Sequence, residues 1–116
     1  METKDLKASL KRDLEQFTGT EHYYRHVFGI TYTDGVKYMA EVAGAYWLLD
    51  AVASYARKEP FQVWKLMKQE AGWVLTMQED SDEPFLVTQV IEFSDFPMDE
   101  VTLWLIDGVL ILPSEY

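Results

Sequence analysis

The chain has 116 residues, of which 48% are apolar and 15% aromatic, and it contains no cysteine. We therefore expect one folded domain over residues 1–116, without disulfides, thiolate nucleophiles or sulfur metal sites. The net charge of −10 is polarised, because residues 1–60 carry eight Lys and Arg against nine Asp and Glu (−1) and residues 61–116 carry two against eleven (−9). This acidity excludes ordinary nucleic-acid binding through the second half, since phosphate contacts need cations.

The first predicted element is a helix in "TKDLKASLKRDLEQF". Leu6, Leu10, Leu14 and Phe17 follow one another at spacings of four, four and three, which places them on one face of a helix. We expect this helix to end near Gly19, because a glycine commonly follows the last periodic residue.

The next stretch, "HYYRHVFGITYTDGVKYMAEV", is rich in residue types that favour strands. Asp34-Gly35 is typical of a two-residue hairpin turn, so we predict strands over 22–33 and 36–42. The alternative is a helix that begins at Thr33 and continues through "GVKYMAE".

A second helix is predicted in "AYWLLDAVASYARK", with Arg57 and Lys58 in its last turn and Pro60 as its stop. In the rest of the sequence we predict antiparallel strands, with a second hairpin turn at Asp107-Gly108. The strands are "FQVWKLM", "GWVLTMQ", "FLVTQVIEF", "VTLWLI" and "VLIL". The first of these strands also fits a short helix that starts at Pro60. Together the elements predict an α+β fold, a mostly antiparallel sheet with two main helices packed on one face.

Two of the predicted strands, "FQVWKLM" and "VTLWLI", are apolar on both faces. A sheet with one solvated face normally alternates between apolar and polar residues. Two helices can hardly cover both sides of the sheet, so we expect Trp64, Leu66, Trp104 and Ile106 to form an exposed apolar patch. Such a patch favours self-association, as a dimer or a larger assembly.

His22 and His26 are the only histidines, and in a strand their spacing places both on one face. A closed zinc site needs three or four ligands, so we predict no metal and no cofactor, and the simpler interpretation is a pair of partly exposed strand histidines. Tyr46, Trp47 and Asp50 open the second predicted helix. With His26 they form the candidate lining of a small-ligand pocket, although a Tyr-Trp pair at a helix start is more often hydrogen-bonded core.

The turn "EDSDEP" gathers four carboxylates, Glu79, Asp80, Asp82 and Glu83. It lacks the glycine that a calcium-binding loop of the EF-hand type requires, so it is either a solvated turn or a partner-binding surface. The sequence contains no glycine-rich phosphate loop, no nucleophile elbow and no zinc-protease helix motif. An enzyme is therefore the less favoured class.

Several longer segments carry a family resemblance: "LKRDLEQFTGTEHYYRH", "YTDGVKYMAEVAGAYWLLDAVASY", "FQVWKL" and "SDFPMDEVTLWLIDGVLILPSEY". The chain resembles a family of small uncharacterised bacterial proteins, a domain of unknown function that looks common in cyanobacteria and on phages or plasmids. The resemblance covers most of the chain and implies no activity, cofactor or catalytic residue. It does imply a context in which small acidic proteins often act by binding host machinery.

The favoured function is a small acidic interaction or regulatory module that binds a basic partner, such as a nucleic-acid-binding protein, in the extreme form as a DNA mimic. Its candidate partner-binding residues are Glu79, Asp80, Asp82, Glu83 and Trp104. The alternative is a small-ligand-binding protein or enzyme with a pocket near His26, Tyr46, Trp47 and Asp50. No apolar stretch approaches the roughly 20 residues of a membrane helix and the charged start lacks a signal-peptide core, so we expect a cytoplasmic protein without a membrane partner.

Overall fold

A computed structural model of the chain describes residues 3–55, 59–80 and 82–116, with side chains from residue 8 onward. This part of the chain forms three α-helices, α1 (Thr3–Glu15), α2 (Asp34–Ala43) and α3 (Tyr46–Ser54). Its seven strands are β1 (Tyr23–Arg25), β2 (Thr31–Thr33), β3 (Phe61–Gln69), β4 (Gly72–Gln78), β5 (Phe85–Ile91), β6 (Glu100–Ile106) and β7 (Val109–Ile111), and a 3₁₀ helix, Pro113–Glu115, follows β7. The fold is α+β, as the sequence predicts, with one more helix than expected.

The first predicted helix is α1, and its stripe is buried where side chains are described, at Leu10 and Leu14. The second predicted helix is α3, and its predicted basic end, Arg57 and Lys58, lies outside the described residues. In the described part of the chain, no helix is long and apolar enough to cross a membrane.

The predicted hairpin at Asp34-Gly35 is wrong, and the alternative helix that begins at Thr33 is confirmed as α2. Thr33 is extended (φ −92°, ψ 174°), and its hydroxyl accepts a hydrogen bond from the backbone N–H of Val36 at 3.4 Å. This is the arrangement of a helix N-cap, which satisfies a backbone donor that the helix itself leaves unpaired. At the other end Gly44 closes the helix in the left-handed conformation (φ 62°).

The sheet has the strand order β1-β2-β7-β6-β3-β4-β5, so β1 and β5 are its edges. Every neighbouring pair is antiparallel except β2 and β7, which are parallel. The strand prediction for "FQVWKLM" is confirmed, and so is the hairpin at Asp107-Gly108, where both residues have positive φ (50° and 85°).

The helices cover one face of the sheet. Alternate strand residues on that face join the helix residues in one core; the sheet's contribution includes Trp64, Leu66, Leu75, Met77, Leu103 and Leu105. The opposite face, called here the open face, carries no helix of the described chain. The apolar residues that β3, β4 and β6 place on this face are half-buried and are Phe61, Val63, Met67, Val74, Trp104 and Ile106.

The predicted exposed patch is therefore wrong in two of its four members, because Trp64 and Leu66 are each 1% exposed. Gln62 shares this inward face of β3 although it is polar, and it is itself 1% exposed. Its Oε1 accepts a hydrogen bond from the indole N–H of Trp64 at 2.8 Å, which satisfies both buried polar groups. Trp104 and Ile106 do lie on the open face, and self-association stays a prediction.

The segment after β7 folds back onto the start of α2. The carboxylate of Glu115 accepts hydrogen bonds from the hydroxyl of Thr33 at 2.6 Å and from the backbone N–H groups of Leu112 at 2.9 Å and Gly35 at 3.1 Å. A Cβ atom at Gly35 would lie 2.6 Å from Cδ1 of Leu112 and 2.8 Å from Oε2 of Glu115. Gly35 is thus required by close packing rather than by a turn.

Candidate functional site

His26 and Asp50, two residues of the predicted pocket, are in contact. His26 follows β1 and is 8% exposed, and its Nε2 lies 2.6 Å from Oδ1 of Asp50 on α3. The turn between β1 and β2 fixes the backbone at His26, because the backbone N–H of His26 donates to the carbonyl of Ile30 at 2.7 Å. His26 is therefore an interior residue, and the expectation of a partly exposed strand histidine is wrong for it.

Both ring nitrogens of His26 are occupied. The backbone N–H of Phe28 donates to Nδ1 at 3.0 Å, which assigns the ring proton to Nε2, and Nε2 then donates to Asp50. A general base needs a nitrogen within reach of a substrate proton. The geometry instead suits a structural role, in which the pair fastens the turn between β1 and β2 to α3.

Tyr46 and Trp47 lie one turn before Asp50 on α3. Trp47 is half-buried against the core, whereas Tyr46 is 40% exposed. Partial burial, followed by the nearby carboxylate of Glu41, raises the pKa of Tyr46.

Two cavities open elsewhere on the described surface. One of about 570 Å³ lies between α1 and the start of β6, and one of about 370 Å³ lies between α1 and α2. Neither is lined by His26, Tyr46, Trp47 or Asp50, so a pocket at these four residues stays a prediction.

His22 has a different neighbour from His26. Its side chain is 68% exposed, with Nδ1 3.7 Å from Oδ1 of Asp34. The backbone N–H of Glu21, above all, and the hydroxyl of Tyr24 donate hydrogen bonds to Asp34 and lower its pKa to about 2. Among the residues that the structure describes, no group of three or more His, Asp and Glu side chains is placed to hold a metal ion.

The predicted partner-binding carboxylates form the turn between β4 and β5, called here the acidic turn: Glu79, Asp80, Asp82 and Glu83, all exposed. Further exposed carboxylates lie at the opposite end of the same strands, at Glu70, Glu92, Asp95, Asp99 and Glu100. With Asp107, ten of the eleven Asp and Glu residues of the second half are exposed, and the eleventh is Glu115 at α2. The acidity predicted from the sequence is therefore concentrated at the two ends of β3–β6.

β5 connects these two acidic ends, and the sequence analysis did not identify it as a site. It has no charged residue from Phe85 to Ile91, yet Phe85 is 55% exposed and Val90 72% exposed. The uncharged run "FLVTQVI" between acidic segments was a visible signal. Its position at the edge of the sheet depends on the strand order, which local pattern does not determine.

Trp104, the remaining candidate, lies on the open face. Its ring centroid is 5.6 Å from that of Phe61 and 5.5 Å from that of Tyr116. β3 and β4 separate its strand from β5, which places Trp104 roughly 14 Å from β5 at the usual strand spacing. In register, however, Trp104 lies opposite Val63 and Val63 lies opposite Gln78, so Trp104 is about 10 Å from the residue that precedes the acidic turn.

A family model described as a family of unknown function, DUF6876, matches residues 8–116. The chain belongs to this family. No curated protein and no solved structure matches it significantly. The part of the chain covered by the DUF6876 model contains all the described strands, the acidic turn and the pair of His26 and Asp50.

Proposed function

We propose that the protein is an acidic interaction module that binds a basic protein through its C-terminal half. The observation that carries this proposal is the set of ten exposed carboxylates at the two ends of a sheet whose open face carries apolar residues on both sides of Lys65, Thr76 and Thr102. From Gln69 to Tyr116 the sequence offers no Lys or Arg to neutralise them. An apolar centre with charges around it, complementary to those of the partner, is the usual composition of a specific protein interface.

The sign of the charge selects the class of partner. A protein that itself binds nucleic acid presents the required Lys and Arg surface, and the bacterial, phage or plasmid context implied by the family resemblance fits such a regulatory role. The proposal includes a cytoplasmic location. Mimicry of DNA by carboxylates spaced along a strand receives no support, because the outward residues of β3 and β6 are largely apolar and the carboxylates lie mainly in turns.

The small-ligand or enzyme alternative has less in its favour. Its centre would be His26, whose two nitrogens are already bonded to Phe28 and Asp50. Neither described cavity reaches that pair.

The test is capture from cell lysate with the wild-type protein and with a variant in which Glu79, Asp80, Asp82 and Glu83 are all changed to Ser. Captured proteins are identified by mass spectrometry, and the affinity of each purified candidate is measured at low and at physiological salt. We expect a basic protein whose binding weakens with salt and is lost in the Ser variant, because exposed charges are screened within about 10 Å at 0.1 M ionic strength.

The matched control exchanges Asp and Glu at the same four positions, which keeps the charge and changes the side-chain length. This control should retain binding. Equal capture by the wild type and the Ser variant at both salt concentrations would remove the acidic turn from the proposal.

A further inference from the structure

We propose that the free edge of β5 is a strand-addition site for an extended partner segment with apolar residues at alternate positions and Lys or Arg at its ends. This inference deepens the proposed binding of a basic partner and rests on it. It names the backbone of Phe85–Ile91 as the contact surface.

β5 has one strand neighbour in the sheet. It pairs with β4 in antiparallel register, with one irregularity at its Phe85 end, next to Met77 and Gln78. No other described strand pairs with it, so its outer side presents backbone N–H and C=O groups that the sheet does not use. Such an edge is a template for pairing with another chain.

The two edges of the sheet differ in their protection. β1 is three residues long and contains Arg25, and short length and charge are features that keep natural edges from pairing. β5 is seven residues long and contains no charged residue and no proline. Apart from the irregularity at its Phe85 end, β5 lacks these protections, and its exposed apolar side chains include Leu86 and Val90.

Thr88 and Val90 of β5 pair with Thr76 and Val74 on the open face, and both are exposed. A strand added beside them would extend this face and place its own alternate side chains next to them, where cross-strand pairs of apolar residues are stabilising. Main-chain hydrogen bonds would supply affinity and the alternate side chains would supply specificity, as in other cases of strand addition.

The charges at the ends of β5 identify the occupant. The acidic turn precedes the strand, and Glu92 and Asp95 follow it. A second copy paired antiparallel about Thr88 would bring Glu83 next to Glu92 of that copy, and this repulsion would occur at both ends. A segment with Lys or Arg at its ends meets opposite charge at both ends instead, so charge complementarity favours a basic partner over a second copy.

The test uses a fluorescent synthetic peptide with two lysines at each end and alternating valine and threonine between them. Fluorescence anisotropy measures its affinity for the full chain, and amide hydrogen exchange measures protection of residues 85–91. We expect binding, and exchange slowed about tenfold or more at alternate amides of β5, because those N–H groups become hydrogen-bonded.

Two control peptides separate strand addition from charge attraction. A peptide with the same lysines but N-methylated central amides keeps the charge and cannot pair with the strand. We expect its affinity to be lower by about tenfold or more. A peptide with glutamates in place of the lysines should not bind. The variant Thr88→Lys should bind the lysine peptide with about tenfold lower affinity. Thr18→Lys, the same change at an exposed position outside the sheet, should leave the affinity for that peptide nearly unchanged.

Each result has a defined meaning. If the methylated peptide binds as well as the unmethylated one, or binding leaves β5 unprotected, strand addition is overturned while the proposed basic partner survives. If the lysine and glutamate peptides bind equally, the charge argument behind both proposals fails. Failure of the lysine peptide to bind at low salt, or β5 already protected in a dimer of the free protein, also overturns this inference.

Discussion

Changing Gly35 to Ala tests whether the C-terminal segment or helix propensity controls the start of α2. Gly35 lies in the first turn of α2, where alanine is normally the better residue by about 1 kcal/mol. Propensity alone therefore predicts that Gly35→Ala stabilises the protein. The packing around Gly35 predicts the opposite.

The added methyl group would lie 2.6 Å from Cδ1 of Leu112 and 2.8 Å from Oε2 of Glu115. Leu112 is 3% exposed, and three hydrogen bonds hold the Glu115 carboxylate, so neither neighbour moves without cost. Overpacking costs about 1–3 kcal/mol, and loss of the charged hydrogen bond from Gly35 to Glu115 adds about 1.5 kcal/mol. After the gain of about 1 kcal/mol in propensity, the net loss is about 1.5–3.5 kcal/mol, or a fall in Tm of roughly 10 °C for a domain of this size.

Urea and thermal unfolding followed by circular dichroism measure the effect. Gly19→Ala is the matched control, because no heavy atom lies within 4 Å of the new methyl group and φ at Gly19 is not positive; its free energy of unfolding should change by less than about 1 kcal/mol. In the double variant with Glu115→Ala, the combined loss should fall short of the sum of the single losses by about 1 kcal/mol or more. A Gly35→Ala variant as stable as the wild type would refute the packing argument.

Three further predictions concern other parts of the fold. Because the pKa of Asp34 is lowered to about 2, its contribution to stability is present above the unfolded pKa of 3.8 and is lost as pH falls from about 4 to 2. The difference in unfolding free energy between wild type and Asp34→Asn should shrink over that pH range. A difference that stays constant would contradict this role. His26→Ala should lower the free energy of unfolding in urea by about 2–4 kcal/mol, because it empties a buried site and removes two hydrogen bonds. Asp50→Asn should lower it by under about 1 kcal/mol, because the Asp50 side chain is 61% exposed. Equal losses would be inconsistent with this assignment. If the protein self-associates through the open face, Trp104→Glu should weaken the association by well over about 1 kcal/mol in sedimentation equilibrium, and a wild-type protein that stays monomeric at high concentration would count against the predicted dimer.

The parts of the fold that the sequence predicted correctly are those in which local pattern and tertiary context agree. The stripe of Leu10 and Leu14, the strands of the second half and the turn at Asp107-Gly108 follow from periodicity and turn chemistry alone. The pair Asp34-Gly35 has the same turn chemistry, but the hairpin predicted from it is wrong. Its glycine is required by close packing against the side chain of Glu115, 80 residues away in the sequence. Long-range packing of this kind leaves no local signal.

The candidate site divides in the same way. The acidic turn was predictable because charge is a property of composition, and exposure follows from the cost of burying a charged carboxylate. The contact of His26 with Asp50 joins a turn to a helix 24 residues later, and its hydrogen-bond pattern could not be inferred from residue types. The edge position of β5 required the complete strand order, in which β6 inserts between β3 and β7.

Two groups of carboxylates in this chain respond to different perturbations. Asp34 and Glu115 accept several hydrogen bonds each and bind backbone segments to α2, so their removal should lower stability. The carboxylates of the acidic turn are exposed among like charges, and changing them to Ser relieves this repulsion, so the free energy of unfolding of the quadruple variant is measured beside its binding. A loss of binding in the quadruple Ser variant can therefore be assigned to the surface itself, provided that its free energy of unfolding is at least that of the wild type.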